Sequence, residues 1–237
     1  MPAALREIRG DLRVSTVAAI PWSSIDCVIL DMDGTLLDLH FDNQLWSELL
    51  PRRYAARHDI ALDTARQQVA HRLESRRGSL PWYCLEHWSD AFGVDMHGLE
   101  VELTPLIRPR PGAVDFLAWI KARGARLVLA TNAHPASLER KLAATGIAPY
   151  FSDIFSAHTL GAAKESDDFW HALQGEIGFE PTRTLFIDDN AQVRAAARSW
   201  GIAYLYGIAR PDSHGPELRA ADCRCLEDFA ELTGERG

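Results

Sequence analysis

Asp31 and Asp33 stand two apart at the end of the apolar run Ile25-Asp26-Cys27-Val28-Ile29-Leu30, and Gly34 and Thr35 follow at once. In an extended segment residues two apart point to the same side, so both carboxylates face one space and Met32 faces the other. Gly34 permits a turn that a side chain would resist. Two carboxylates held together repel, and either a bound cation or a shared proton relieves them. Three further polar deposits lie downstream: Thr131-Asn132, Lys164 and Asp188-Asp189. Alone, Thr131-Asn132 reads as a helix cap, Lys164 as a solvated surface lysine and Asp188-Asp189 as the cap of the next helix. Their occurrence in order in one chain points instead to a single charged site.

Most of these deposits follow a short apolar run that reads as a buried strand. The run from Ile25 to Leu30 is the first, Leu127 to Ala130 the second, and Asp153 to Ala157 the third, with Lys164 in the loop beyond it; Thr184 to Ile187 is the fourth. A further short strand is expected over Ile202 to Leu205. Helical spacing fills the intervals: a helix after Pro111-Gly112 ending at Gly124, then Pro135 to Thr145, Asp167 to Ile177 and Val193 to Trp200. Strands separated by helices of this length make βαβ units and a parallel sheet. The expected fold is therefore α/β, a Rossmann-like doubly wound parallel sheet, whose ligands bind at the carboxyl ends of the strands.

Between the first and second strands the pattern is helical throughout. Leu39 to Asn43 reads as a linker and Gln44 to His58 as a helix interrupted at Pro51. Asp63 or Thr64 is the expected cap of a helix carrying Ala65, Val69 and Leu73. Pro81 is expected in the first turn of a helix with Trp82, Leu85, Trp88 and Phe92 on one stripe, and a last piece covers Met96 to Leu103. The expected organisation is an N-terminal extension (1–20), a core from 21–38 and 109–237, and an inserted all-helical cap (39–108).

A formal charge of −8 argues against a nucleic-acid polymer or an anionic membrane as the main partner. It leaves room for a small phosphate ester, because a metal ion and one lysine reverse the local field. Cys27, Cys84, Cys223 and Cys225 show no zinc spacing and read as reduced thiols, which suits a cytoplasmic setting. No apolar run approaches transmembrane length.

Asp31-x-Asp33-Gly34-Thr35, Thr131 after the second strand, Lys164 and the late Asp188-Asp189 resemble the four motifs of the haloacid dehalogenase-like (HAD) phosphohydrolases. The resemblance runs from about Ile25 to Leu205, with the helical block in the place of that family's cap. Longer strings narrow it: Asp31 to Leu39 followed by Phe41-Asp42-Asn43, Trp82-Tyr83-Cys84-Leu85, Thr131-Asn132-Ala133-His134-Pro135 and Thr184 to Asp189 look like bacterial GMP/IMP nucleotidases of the family. One departure is that Glu165 follows Lys164, where many relatives with this cap carry proline.

Phosphate monoesters hydrolyse very slowly in water, so an enzyme must neutralise the anion and present an in-line nucleophile. Asp31 is the expected nucleophile, and Asp33 the acid that protonates the leaving alkoxide and then deprotonates water. Magnesium suits such a site. The resemblance implies Asp31, the backbone carbonyl of Asp33, and Asp189 as metal ligands, with Asp188 as ligand or support. Gly34, Thr131, Asn132 and Lys164 are expected to bind phosphate. Substrate choice falls to the helical block, where Tyr83 and His87, four apart, can stack on or hydrogen-bond a purine. His40 and Phe41 read as hinge or substrate contacts, and His134 as a substrate contact or a helix start. The implied activity is a Mg2+-dependent phosphatase for purine nucleoside 5′-monophosphates. The alternatives are a phosphatase for a sugar phosphate or similar ester, a phosphomutase, and a silent binding protein.

Overall fold

A computed structural model describes residues 20–218 and 220–234, so the predicted N-terminal extension, except Ile20, lies outside them. Six strands form one parallel sheet: β1 (Cys27–Leu30), β2 (Arg126–Thr131), β3 (Asp153–Ser156), β4 (Thr184–Ile187), β5 (Tyr204–Ile208) and β6 (Arg224–Leu226). Their order is β3-β2-β1-β4-β5-β6. The chain winds outward from β1 to β3 and then returns to lay β4 against β1. The switch point thus lies at the carboxyl ends of β1 and β4, where open sheets of this class keep their sites.

The strands are short and apolar because both faces are covered. Val28, Leu30, Leu127 and Leu129 face Phe116, Leu117 and Ile120 of α6 (Ala113–Arg123) and Leu138 of α7 (Pro135–Thr145). Cys27, Ile29, Val128 and Ala130 face Phe169, Trp170 and Leu173 of α9 (Asp167–Ile177) and Val193 of α10 (Ala191–Ser199). The short helices α8 (Ala157–Leu160) and α11 (Ala230–Thr233) complete the two layers. This is the expected doubly wound α/β fold.

Between β1 and α6 lie α1 (His40–Asn43), α2 (Leu50–His58), α3 (Leu62–Glu74), α4 (Leu85–Phe92) and α5 (Met96–Leu103). They gather a hydrophobic cluster of their own around Leu45, Tyr54, Val69, Trp88, Phe92 and Met96. The chain leaves and re-enters the core side by side: Asp38 N–H donates to Arg108 O at 2.9 Å and Arg110 N–H to Leu36 O at 2.8 Å.

The structure corrects several local expectations. Residues 40–43 are helical rather than a linker, because the Asp38 carboxylate accepts from His40 N–H at 3.0 Å and starts the turn. A π-helical turn, Gln44–Leu49, precedes Pro51, which sits in the first turn of α2. Proline has no N–H and its ring clashes with the carbonyl four residues back, so the wider turn relieves what a continuous α-helix could not. Neither Asp63 nor Thr64 caps α3: Ala61 holds the cap position and Asp63 lies in the first turn. Pro81 opens a separate 3-10 turn, Leu80–Tyr83, and the extended Cys84 breaks the chain before α4. The fifth strand lies two residues later than expected and continues to Ile208. The sixth, which carries Cys225, pairs with it in parallel. All four thiols are free.

Trp88 is the largest side chain at the centre of the helical cluster, 2% exposed, with its indole N–H on Trp82 O at 2.8 Å and its ring stacked on Phe92. Trp88→Ala is expected to destabilise this block by about 3–5 kcal/mol. Urea denaturation followed by tryptophan fluorescence should show an earlier transition.

Candidate active site

Register sets the site. Leu30 pairs with Leu129 on one side and Ile187 on the other, so the residues after β1 and β4 emerge at one level. Asp31 N–H donates to Ile187 O at 3.0 Å, which extends the ladder by one residue into the acidic positions. Asp31, Asp188 and Asp189 consequently present carboxylate oxygens within 4.8 Å of one another.

Lys164 enters this group from the loop after α8 and is 2% exposed. Its ammonium lies 2.5 Å from Asp31 Oδ1, 2.7 Å from Asp188 Oδ2 and 3.1 Å from Ala130 O. Those acceptors account for its three donors. Its backbone is held as firmly: Lys164 N–H donates to Asn132 Oδ1 at 2.9 Å, and the buried Trp170 indole donates to Lys164 O at 2.9 Å. Arg194, also buried, donates to Asp188 O at 2.8 Å and is anchored by Asp222 at 2.9 Å.

The electrostatics are those of excess negative charge out of water. Burial pushes the Asp31 carboxyl up to about 7; Lys164 opposes the rise, and Asp188 and Asp33 add to it. Burial, with Asp188 and Asp31 alongside, also raises Asp189 well above the carboxylate range. Burial would lower the Lys164 ammonium, but the two carboxylates beside it outweigh that and raise it. One lysine against three carboxylates leaves a deficit of positive charge. That donor set of hard oxygens, converging and under-neutralised, fits a divalent cation of the magnesium class.

The other predicted residues divide. Asp33 lines the same cavity as the three carboxylates, with Oδ1 at 2.7 Å from Lys141 Nζ. Gly34 adopts φ +81°, and a Cβ there would stand 2.6 Å from Asp189 Oδ2, so glycine is required by close approach as well as by conformation. Gly34 does not line the cavity over the site. Thr131 does, and its Oγ1 accepts from Ala133 N–H at 3.0 Å, leaving its O–H to donate. The Asn132 side chain is committed to the Lys164 loop, through Lys164 N–H and through Glu165 Oε2 at 3.0 Å.

Among the residues expected to choose the substrate, Tyr83 and His134 line the cavity and His40, Phe41 and His87 do not. The break at Cys84 separates Tyr83 from His87, so the two share no helix face. His87 packs edge-on against Trp88 at 4.7 Å. Phe41 is buried beneath Lys141 Nζ at 4.8 Å, and the His40 ring lies tilted against His214, centroids 4.0 Å apart, beside Asp212. Tyr83 O–H donates to Glu165 Oε1 at 2.6 Å, so the residue that departs from proline joins the helical block to Asn132. His134 caps α7 through Nδ1 and meets Glu86 at 2.9 Å through Nε2.

Sequence reasoning missed Lys141, Asp42, Thr35 and Arg194. Thr35 followed Gly34 in the motif, and its hydroxyl accepts from Asp189 N–H at 3.1 Å. Asp42 stood in the string Phe41-Asp42-Asn43 that carries the nucleotidase resemblance, and no local signal distinguished Lys141 or Arg194. The cavity above the carboxylates measures about 570 Å³. Its inner wall is Asp31, Thr131, Lys164 and Asp189, and its outer wall includes Trp46, Leu73, Trp82 and Tyr83 from the helical block. The volume lies in the range of small-molecule sites.

Comparison with known proteins agrees with this geometry. The chain is 38% identical over 213 residues to the GMP/IMP nucleotidase YrfG of Escherichia coli, a match covering 90% of this chain and 96% of that protein. Crystal structures superpose on it at 89% of this chain and 97% of theirs. A HAD phosphatase from Thermococcus onnurineus does so with a TM-score of 0.73 at 22% identity. The magnesium-bound putative HAD-hydrolase YfnB from Bacillus subtilis gives 0.62 at 18%. Residues 25–201, from just before β1 to just past α10, match the haloacid dehalogenase-like hydrolase family, and the chain belongs to it.

Proposed function

We propose that this chain is a Mg2+-dependent phosphatase that hydrolyses purine nucleoside 5′-monophosphates, GMP and IMP, through an aspartyl-phosphate on Asp31. One observation carries the reading: the similarity to a GMP/IMP nucleotidase leaves only about a tenth of the chain outside, so it includes the helical block where a substrate's organic part would sit. Residues 39–108 serve as a cap over the carboxyl ends of the strands.

Each step is assigned to a group of this chain. Asp31 attacks phosphorus in line, and the nucleoside alkoxide leaves with a proton from Asp33. Asp33 then takes a proton from water, which attacks the acyl phosphate and frees Asp31 and inorganic phosphate. Thr131 and Lys164 hold the phosphoryl oxygens, with Gly34 and Asn132 fixing the backbone and loop that place them. Asp31, Asp188 and Asp189, with the Asp33 backbone carbonyl, would hold Mg2+, which offsets phosphate charge and keeps the buried carboxylates ionised. Trp46, Trp82 and Tyr83 offer aromatic faces to a purine. Four free thiols suit a reducing, cytoplasmic setting.

Phosphate release from GMP and IMP is expected to exceed that from AMP, pyrimidine nucleotides and sugar phosphates at equal concentration. Faster turnover of a sugar phosphate would sink the substrate assignment and leave the fold and family untouched. Asp31→Asn is expected to lower kcat by more than about 10³-fold with the melting temperature retained; residual activity near wild type would rule out the nucleophile. Chelation with EDTA should abolish turnover and added Mg2+ should restore it, as read by phosphate release.

A further inference from the structure

We propose that Lys141 is a positioning residue: it fixes Asp33 for proton transfer, and Asp42 on α1 of the cap holds its ammonium in place. The inference rests on the reading of Asp33 as the acid/base of phosphoryl transfer.

Lys141 sits in the last two turns of α7, in the sequence Glu139-Arg140-Lys141-Leu142, where a lysine ordinarily reaches solvent. Here it is 2% exposed. A buried ammonium is costly unless paired, and this one is paired twice. Its Nζ lies 2.7 Å from Asp33 Oδ1, 2.8 Å from Asp42 Oδ1 and 3.1 Å from Asp42 Oδ2, with the Phe41 ring 4.8 Å away. An ammonium has three donors, and the contacts to Asp33 and Asp42 account for them. Glu100, the other buried carboxylate of this region, is met by Arg140 at 3.4 Å.

The three partners come from three places. Asp33 belongs to the loop after β1, Lys141 to α7 of the core, and Asp42 to α1, the first helix of the cap. Asp42 and Phe41 arrive on the same helical turn, so docking α1 brings an anion and a ring face to the ammonium together. With Oδ1 tied to Lys141, whether Asp33 is protonated or not, Oδ2 is the oxygen that exchanges the proton. A displacement of about 1 Å in such a group costs on the order of 10²-fold in rate.

The test separates the two chemical steps. In Lys141→Met, 4-nitrophenyl phosphate, whose leaving group departs without a proton, should give a burst of one nitrophenolate per active site. Slow turnover should follow, since only the second step then needs Asp33. On an alkyl phosphate that the wild type hydrolyses, kcat should fall by about 10²-fold with no burst and KM within about 3-fold. Asp42→Asn should show the same pattern in smaller measure. Should Lys141→Met melt early, Lys141→Met with Asp42→Leu removes both charges and carries the same burst experiment. Wild-type rates, an equal first-turnover loss on both esters, or a raised KM with unchanged kcat would each overturn the proposal. Asp33→Asn run alongside distinguishes the failures. If it hydrolyses the alkyl phosphate at wild-type rates, the acid/base reading has failed. If it is inactive on that ester while Lys141→Met behaves as wild type, only the role of Lys141 has failed.

Discussion

Everything near the carboxyl ends of β1 and β4 answers to one constraint: acids held close together where water is scarce. Asp31, Asp188 and Asp189 cannot all be comfortable carboxylates there, and burial drives Asp31 to about 7. Lys164 relieves part of the repulsion, and its own burial is tolerable only because Asp31 and Asp188 flank it. The surrounding scaffold keeps that balance from relaxing. Trp170 and Asn132 pin the Lys164 backbone, Arg194 pins that of Asp188, and Thr35 that of Asp189. A site under such charge strain is prepared for a cation, which offsets the excess carboxylate charge.

A second constraint is that the helical block meets the core through polar contacts beside this cluster. Lys141 joins Asp42 to Asp33, and Glu165 joins Tyr83 to Asn132. Glu86 and His134 add a contact that is half in solvent and correspondingly weak. Each block has its own apolar cluster, and the two meet where Phe41 and Ile107 of the helical block pack into that of the core. Polar seams of this kind allow opening and closing at modest cost, which suits a site that must admit a substrate and then exclude water. Glu165 gains its meaning here. A proline after Lys164 would supply neither acceptor, and the link from the block to the phosphate side would be absent.

The fold was legible because periodicity and punctuation agree along most of the chain. Pro135 to Thr145, Asp167 to Ile177 and Thr184 to Ile187 fall where spacing placed them, each bounded by proline, a polar cap or glycine. The misses have local causes. Asp38, outside the expected linker, nucleates α1; Pro51 induces a π turn rather than a break; and Cys84, in extended conformation, ends the Pro81 turn early. That last break also dissolved the Tyr83–His87 pair, since a spacing of four means adjacency only on a continuous helix.

The sequence by itself determined the strand ends, the acid, threonine and lysine deposits they carry, and hence the family chemistry. Those features are local, and a parallel sheet collects them at one edge whatever the loops do. Tertiary structure alone decided which side chains neutralise one another. Lys141 and Asp42 lie 99 positions apart, and Tyr83 and Glu165 lie 82 apart. Nothing in the composition of α7 or of the stretch after Asp38 marks a buried ion pair. Such pairing depends on where two separate cores come to rest against each other, and no repeat or motif along the chain encodes that.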